Sequence, residues 1–195
     1  MRSLMSITFL SALAFSSAVG ASGLGPWKFG MSKDEVKAFK QFGPYKSFSN
    51  GDLEIPAYEF DGQKRNLQFF FDGRGLNRIE INYYEERETA QAAAAFRSVC
   101  EYYRREYGEI KTFLFDPPQN ADCAKIAETA TKQVDKMGKA QIAPLHASSD
   151  LRTFSSYRLN NVMGTKFYSV VVYFDPINRD SMPSVPALLA KPKQK

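Results

Sequence analysis

Histidine occurs once in this chain, tryptophan once and cysteine twice, and each scarcity removes a class of chemistry. A triad or dyad built on imidazole would have to use His146, in a segment (Ala143-Pro144-Leu145-His146-Ala147-Ser148) that reads as loop. One histidine and one cysteine pair cannot close a zinc shell of four ligands. The neighbouring carboxylates Asp34-Glu35 and Glu85-Glu86 read as helix-end residues, which point apart and favour the positive helix terminus rather than acid–base work. Gly73-Arg74-Gly75-Leu76-Asn77-Arg78 lacks the third glycine of a dinucleotide fingerprint and joins two strands instead of a strand and a helix. Lys136-Met137-Gly138-Lys139 lacks the glycine-rich turn of a phosphate loop. No catalytic residue, metal ligand or cofactor is expected.

A membrane-spanning run is missing as well. The one sustained apolar stretch, Leu4 to Ala18, follows Arg2 and leads to Val19-Gly20-Ala21. That is a basic start, an apolar segment of about 15 residues and a small-residue cleavage site, the plan of a signal peptide. It is shorter than the roughly 20 apolar residues a span needs. Residues 1–21 therefore read as a cleavable signal, and the mature chain as periplasmic or secreted, with no transmembrane segment. No cysteine stands near the cleavage site to carry a lipid anchor. Charge of one sign is scarce too. The chain carries 26 basic and 21 acidic residues, but Arg179, Lys191, Lys193 and Lys195 lie in the last stretch, so the body is nearly neutral. A nucleic-acid binder should carry its excess on the folded face, so nucleic acid is not an expected partner.

With export expected, Cys100 and Cys123 most simply form a disulfide, free thiols being the alternative. The bridge would close a loop of about 24 residues and contribute roughly 3 kcal/mol in the chain-entropy picture. Their spacing excludes a reactive C-x-x-C pair.

Ser32-Lys33-Asp34-Glu35 is a capping box, with Met31 and Val36 placed as a hydrophobic staple. It opens a helix expected to run through Phe39 and stop at Gly43-Pro44. Beyond it the period becomes two. Strands are expected over 53–60, with Pro56 marking an edge, over 66–71, and over 76–84 after the turn Asp72-Gly73-Arg74-Gly75. In the last of these Ile79, Ile81 and Tyr83 point inward, and Arg78, Glu80 and Asn82 outward. A helix over 86–107 carries the stripe Ala92, Phe96, Val99, Cys100, Tyr103 and Tyr107 and ends at Gly108. A short strand over 109–115 follows. A third helix, capped by Asn120, carries Cys123, Ile126, Ala127, Ala130, Val134 and Met137 and ends at Gly138. Residues 139–149 read as loop. Strands over 151–159 and 165–174 are joined across residues 160–164, and Phe167 to Phe174 is β-prone enough for a central strand.

The order predicts an α+β fold, an antiparallel sheet with about three helices packed on one face. Parallel strands linked by helical crossovers are the alternative. Residues 22–175 form a single domain, and 176–195 a basic, proline-containing tail.

Aromatic side chains are abundant, with 16 phenylalanines and 10 tyrosines, and most fall on inward positions. Tyr45, Phe48, Tyr58, Tyr84 and Tyr168 do not, and such residues could form an exposed patch for a protein partner. The run Tyr102-Tyr103-Arg104-Arg105-Glu106-Tyr107 has interface composition, but helical phase sends Tyr103 and Tyr107 inward and Arg104 and Arg105 to solvent.

Gly30-Met31-Ser32, Val36 and Gly43-Pro44, followed by the strand over 66–71 and its return, resemble the BamE-like (SmpA/OmlA) family of bacterial envelope proteins over residues 27–85. That resemblance implies an exported α+β module that binds protein. The lipid-bearing cysteine of that family is absent here, and no functional residue is carried over. The β-lactamase-inhibitor-like fold repeats a similar helix-then-sheet unit, and residues 87–174 would echo it. The expected function is an exported binding or accessory module of the cell envelope. A secreted hydrolase inhibitor, or an enzyme using carboxylates without histidine, are the alternatives.

Overall fold

The computed structural model describes residues 23–146 and 151–177. The signal segment and all but the first two residues of the tail lie outside the described residues. Ten strands and three helices follow one another: β1 (Gly23–Leu24), β2 (Trp27–Lys28), α1 (Lys33–Lys37), β3 (Lys46–Ser47), β4 (Leu53–Phe60), β5 (Gln63–Asp72), β6 (Gly75–Glu86), α2 (Thr89–Tyr107), β7 (Ile110–Phe113), α3 (Cys123–Met137), β8 (Lys139–Pro144), β9 (Leu151–Val162) and β10 (Thr165–Pro176). Eight strands form one antiparallel sheet in the order β3-β4-β5-β6-β10-β9-β8-β7. The α+β class and the antiparallel sheet are as expected, and strand outweighs helix. The order is palindromic. Each half ends in its own three-strand meander, and β6 and β10, the last strands of the halves, pair in the middle.

β10 is central because it is buried on both sides. Val170, Val172 and Phe174 join the main core, while Val171, Tyr173 and Asp175 of the other pleat phase are buried as well. The core phase continues on each neighbour. Ile81 and Ser155 flank Val172, Leu67 flanks Ile81, and Ile55 flanks Leu67. Side chains of α2 and α3 meet this phase. Tyr103 bonds the Thr153 hydroxyl at 3.0 Å, Phe96 packs on Tyr157, and Tyr168 donates to Asp135.

The cap of α1 is the box read from the sequence. Ser32 Oγ accepts from the Glu35 amide, and the Glu35 carboxylate accepts from the Ser32 amide at 2.7 Å. The helix stops at Lys37, short of Phe39, and a single 3-10 turn over Lys40–Phe42 carries the chain to Gly43. Its start is sewn to β6, since Leu76 N donates to Met31 O and Gly30 N to Leu76 O, both at 2.8 Å. Gly75 permits this approach. Its φ is 108°, and a Cβ there would collide with the Gly30 carbonyl.

Several boundaries differ from expectation for local reasons. α2 begins at Thr89, not near 86, because Glu85 and Glu86 finish β6 in register with Ser169 and Tyr168. Asp122, not Asn120, caps α3, its carboxylate accepting from Lys125 N at 2.7 Å. Asn120 has a left-handed φ of 56° and belongs to the preceding turn. Residues 139–144 are strand rather than loop. Ala140 and Ile142 alternate into the core, and β8 is held on both sides by β7 and β9. β9 runs to Val162, so the turn into β10 shrinks to Met163-Gly164. Pro56 stands where an edge was expected, because β3 pairs only with Leu53 and Glu54 and leaves the rest of β4 open. Cys100 of α2 and Cys123, the first residue of α3, form the disulfide. No described helix is long and apolar enough to cross a membrane.

Candidate functional site

The five aromatic residues singled out from the sequence do not share one patch. Tyr45 donates its hydroxyl to Phe39 O at 3.1 Å and packs by Phe69, while Tyr58 lies edge-on to Trp27. Tyr84 accepts from the Glu88 amide at 2.8 Å, and Tyr168 is buried. Phe48 alone of the five is exposed. His146 is exposed, at the end of the described segment that follows β8.

A different constellation forms on the outer pleat phase of the sheet, whose residues alternate with those in the core. One cross-strand row reads Lys46, Glu54, Gln68, Glu80, Tyr173 and Phe154, from β3 to β9. Tyr173 and Phe154 stack at 4.7 Å with planes 10° apart. Three arginines frame that pair. Arg78 and Arg158 lie 5.3 and 5.9 Å from the Tyr173 ring centre, and Arg152 lies 5.6 Å from that of Phe154. Cation–π attraction and flat stacking both favour guanidinium at such distances.

Asp175, almost wholly buried, ties three strands together. It accepts from Arg78 Nε at 2.8 Å and Arg78 Nη2 at 3.3 Å, and from Arg152 Nη2 at 2.6 Å. The clamp bridges β6, β10 and β9 and crosses the seam between the two halves. Asp175→Ala leaves Arg152 without its carboxylate and Arg78 with Glu80 alone, at 3.7 Å. Breaking a fully buried pair costs ~3–5 kcal/mol, but these arginine side chains are 40% and 52% exposed and can rehydrate. The expected loss is therefore about 2 kcal/mol, read from urea denaturation midpoints. A loss under about 0.5 kcal/mol, the scale of an exposed pair, would mean that the clamp does not tie the halves.

Glu80 stands beside the clamp. Burial pushes its carboxyl up to about 7, against the pull of Arg78, while Asp175 adds repulsion and Arg158 attraction. The outer phase therefore becomes more positive as the pH falls below neutrality. Lys139, at the first position of β8, is held below its usual value, first by burial and then by the charge of Arg158 opposite it.

A hollow of about 740 Å³ lies between the end of α2, β7 and the prolines before α3; its Arg104 is spent on the Ala121 carbonyl at 2.7 Å. Another, of about 460 Å³, borders the clamp and holds Asp52, Asp72 and Asp175. Each of those carboxylates already accepts from donors: the amides of Phe71 and Arg74 for the first two, the arginines for the third. Among the described residues no group of three His, Cys, Asp or Glu converges as a metal would require.

The sequence marked Arg78 and Glu80 as outward. It gave no sign of Phe154, Arg158, Tyr173, Asp175 or Lys139 as one cluster, because register across strands is not written in any single strand. The one available signal was the alternation Arg152, Phe154, Ser156, Arg158, which sets basic and aromatic side chains on one phase. No protein-family model, curated protein or solved structure matches the chain.

Proposed function

We propose that this chain is an exported binding module of the cell envelope, periplasmic or secreted, that docks a protein partner on the outer face of its sheet. In this reading the three helices lie on the core side, the signal is removed, and the mature chain carries neither a membrane span nor a lipid anchor. The observation that carries it is Phe154, half-buried on that face and stacked on the buried Tyr173, with Arg78, Arg152 and Arg158 around the pair. Aromatic residues and arginine are enriched at the centres of protein interfaces. The bridge between Cys100 and Cys123 fits an oxidising compartment, and the resemblance of residues 27–85 to BamE-like proteins points the same way. The mixed charge of the face disfavours nucleic acid.

A photo-crosslinking residue at position 154 should capture a discrete protein from the native envelope, and the same residue at Arg97, exposed on α2, should not. Equal capture at both sites, or none at 154, would end this reading.

Inhibition of a hydrolase is the second reading. The palindromic strand order favours it, since two helix-then-sheet halves present one continuous face, as the inhibitor-like resemblance implies. Slowing of one member of a panel of envelope or host hydrolases would select it over an accessory role.

A further inference from the structure

The sheet guards one of its two ends and leaves the other open. At the guarded end β3 covers Leu53 and Glu54, the register shifts between Ile55 and Tyr58, and Pro56 has no amide to offer. Prolines, bulges and very short edge strands all discourage pairing with another chain. β7 forms the opposite end. It contains no proline and pairs with β8 without a register shift.

The ladder decides which main-chain groups of β7 are free. Leu145 N donates to Glu109 O at 2.7 Å, in line with the β7–β8 register. Antiparallel bonding alternates, so Glu109, Lys111 and Phe113 turn their main-chain groups toward β8. Ile110 and Thr112 turn theirs away from it, and no hydrogen bond from another described segment reaches them. The stretch from Gly108 to Thr112 lines the hollow of about 740 Å³, so the strand borders open space. Glu109 and Lys111 are both exposed, and neither joins an ion pair among the described residues.

We infer that β7 pairs with β7 of a second copy of this chain, antiparallel, about a two-fold axis at Ile110. Because only Ile110 and Thr112 offer free groups, three registers can join the two edges. Centred on Lys111, the pairing sets two lysines face to face, which destabilises a sheet. Centred on Thr112, it needs Leu114 as a strand residue, and the φ of Leu114 is left-handed at 72°. Centred on Ile110, it sets Glu109 of each copy opposite Lys111 of the other. An incoming antiparallel strand must present a base and an acid on either side of a neutral residue, and Glu109-Ile110-Lys111 presents them itself. Such a contact is isologous and closes at two copies. Its axis stands perpendicular to the sheet, so the outer faces of both copies look the same way.

Sedimentation equilibrium of the native chain should show a monomer–dimer equilibrium that weakens as salt is raised, since the ion pairs are exposed. β7 has four residues, so the contact is small and the association belongs with weak, transient interfaces. Glu109→Lys and Lys111→Glu should each be monomeric, because each sets like charges across the axis. An equimolar mixture of the two variants should dimerise again, with the lysines of one copy facing the glutamates of the other. Amide exchange at Ile110 and Thr112 should slow in that mixture as it does in the concentrated wild type. Both variants should melt with the dilute wild type, which separates lost pairing from lost folding. A wild type that stays monomeric at millimolar concentration, a single variant that dimerises as well as the wild type, or a mixture that stays monomeric would overturn the pairing. A dimer whose Ile110 and Thr112 amides exchange as fast as in the monomer would overturn it as well.

Discussion

Trp27→Ala is expected to cost ~3–5 kcal/mol, the range for removing a large buried aromatic. The indole is fully buried, with ring centres of Phe69, Phe42 and Tyr58 at 4.9, 5.0 and 5.5 Å. Those three rings belong to β5, the turn after α1, and β4, so one side chain holds three segments of the first half. α1 has five residues, too few to persist without tertiary support, and only Val36 of it is fully buried. Loss of the indole should therefore free the segment from Trp27 to Phe42 before the sheet melts. The measurement is urea denaturation followed by hydrogen exchange in α1. Trp27→Phe, which keeps an aromatic in the same space, should lose less than half as much. A uniform loss across both halves, with α1 no more exchangeable than the sheet, would count against this local role. Trp27 Nε1 makes no hydrogen bond of good geometry among the described residues, although the Tyr45 hydroxyl lies beside it, so packing is its main source of stabilisation.

Local signals in the chain were good guides wherever one segment settled its own fate. Ser32 and Glu35 specified their cap, Gly108 and Gly138 ended their helices, and Ile79, Ile81 and Tyr83 turned inward as their alternation required. Failures came where a neighbour decided. Residues 139–144 carry too few strong β-formers to declare a strand, and they become one because β7 and β9 both offer pairing edges. Asn120 lost the cap to Asp122 because the turn after Pro118 placed it in a left-handed conformation. The candidate site was least legible of all. Tyr58 and Tyr45 have no obvious inward phase in their own segments, yet the ring cluster at Trp27 and Phe69 takes them in. Tyr173, by contrast, sits in a strand that reads as core on both faces, and only the register with Phe154 reveals its place on the outer phase.

Removal of the covalent link between α2 and α3 should produce the next largest loss. The bridge spans a sequence separation of 23, and constraining a loop of that length in the unfolded chain is worth about 3 kcal/mol. Both sulfurs are buried, and they join residues whose neighbours Val99, Tyr103, Ile126 and Ala127 already pack in the core. The folded helices should thus stay in place once the bond is gone, with the loss arising from the freer unfolded state. Cys100→Ala with Cys123→Ala should then lower the melting temperature by roughly 6–12 °C, at ~2–4 °C per kcal/mol for a domain of this size. Dithiothreitol should lower the wild type by the same amount and leave the double variant unmoved. An equal melting temperature with and without reductant would mean that the native protein does not hold the cross-link. The export reading would then lose its covalent support, because a chain that folds as well with free thiols gains nothing from an oxidising compartment.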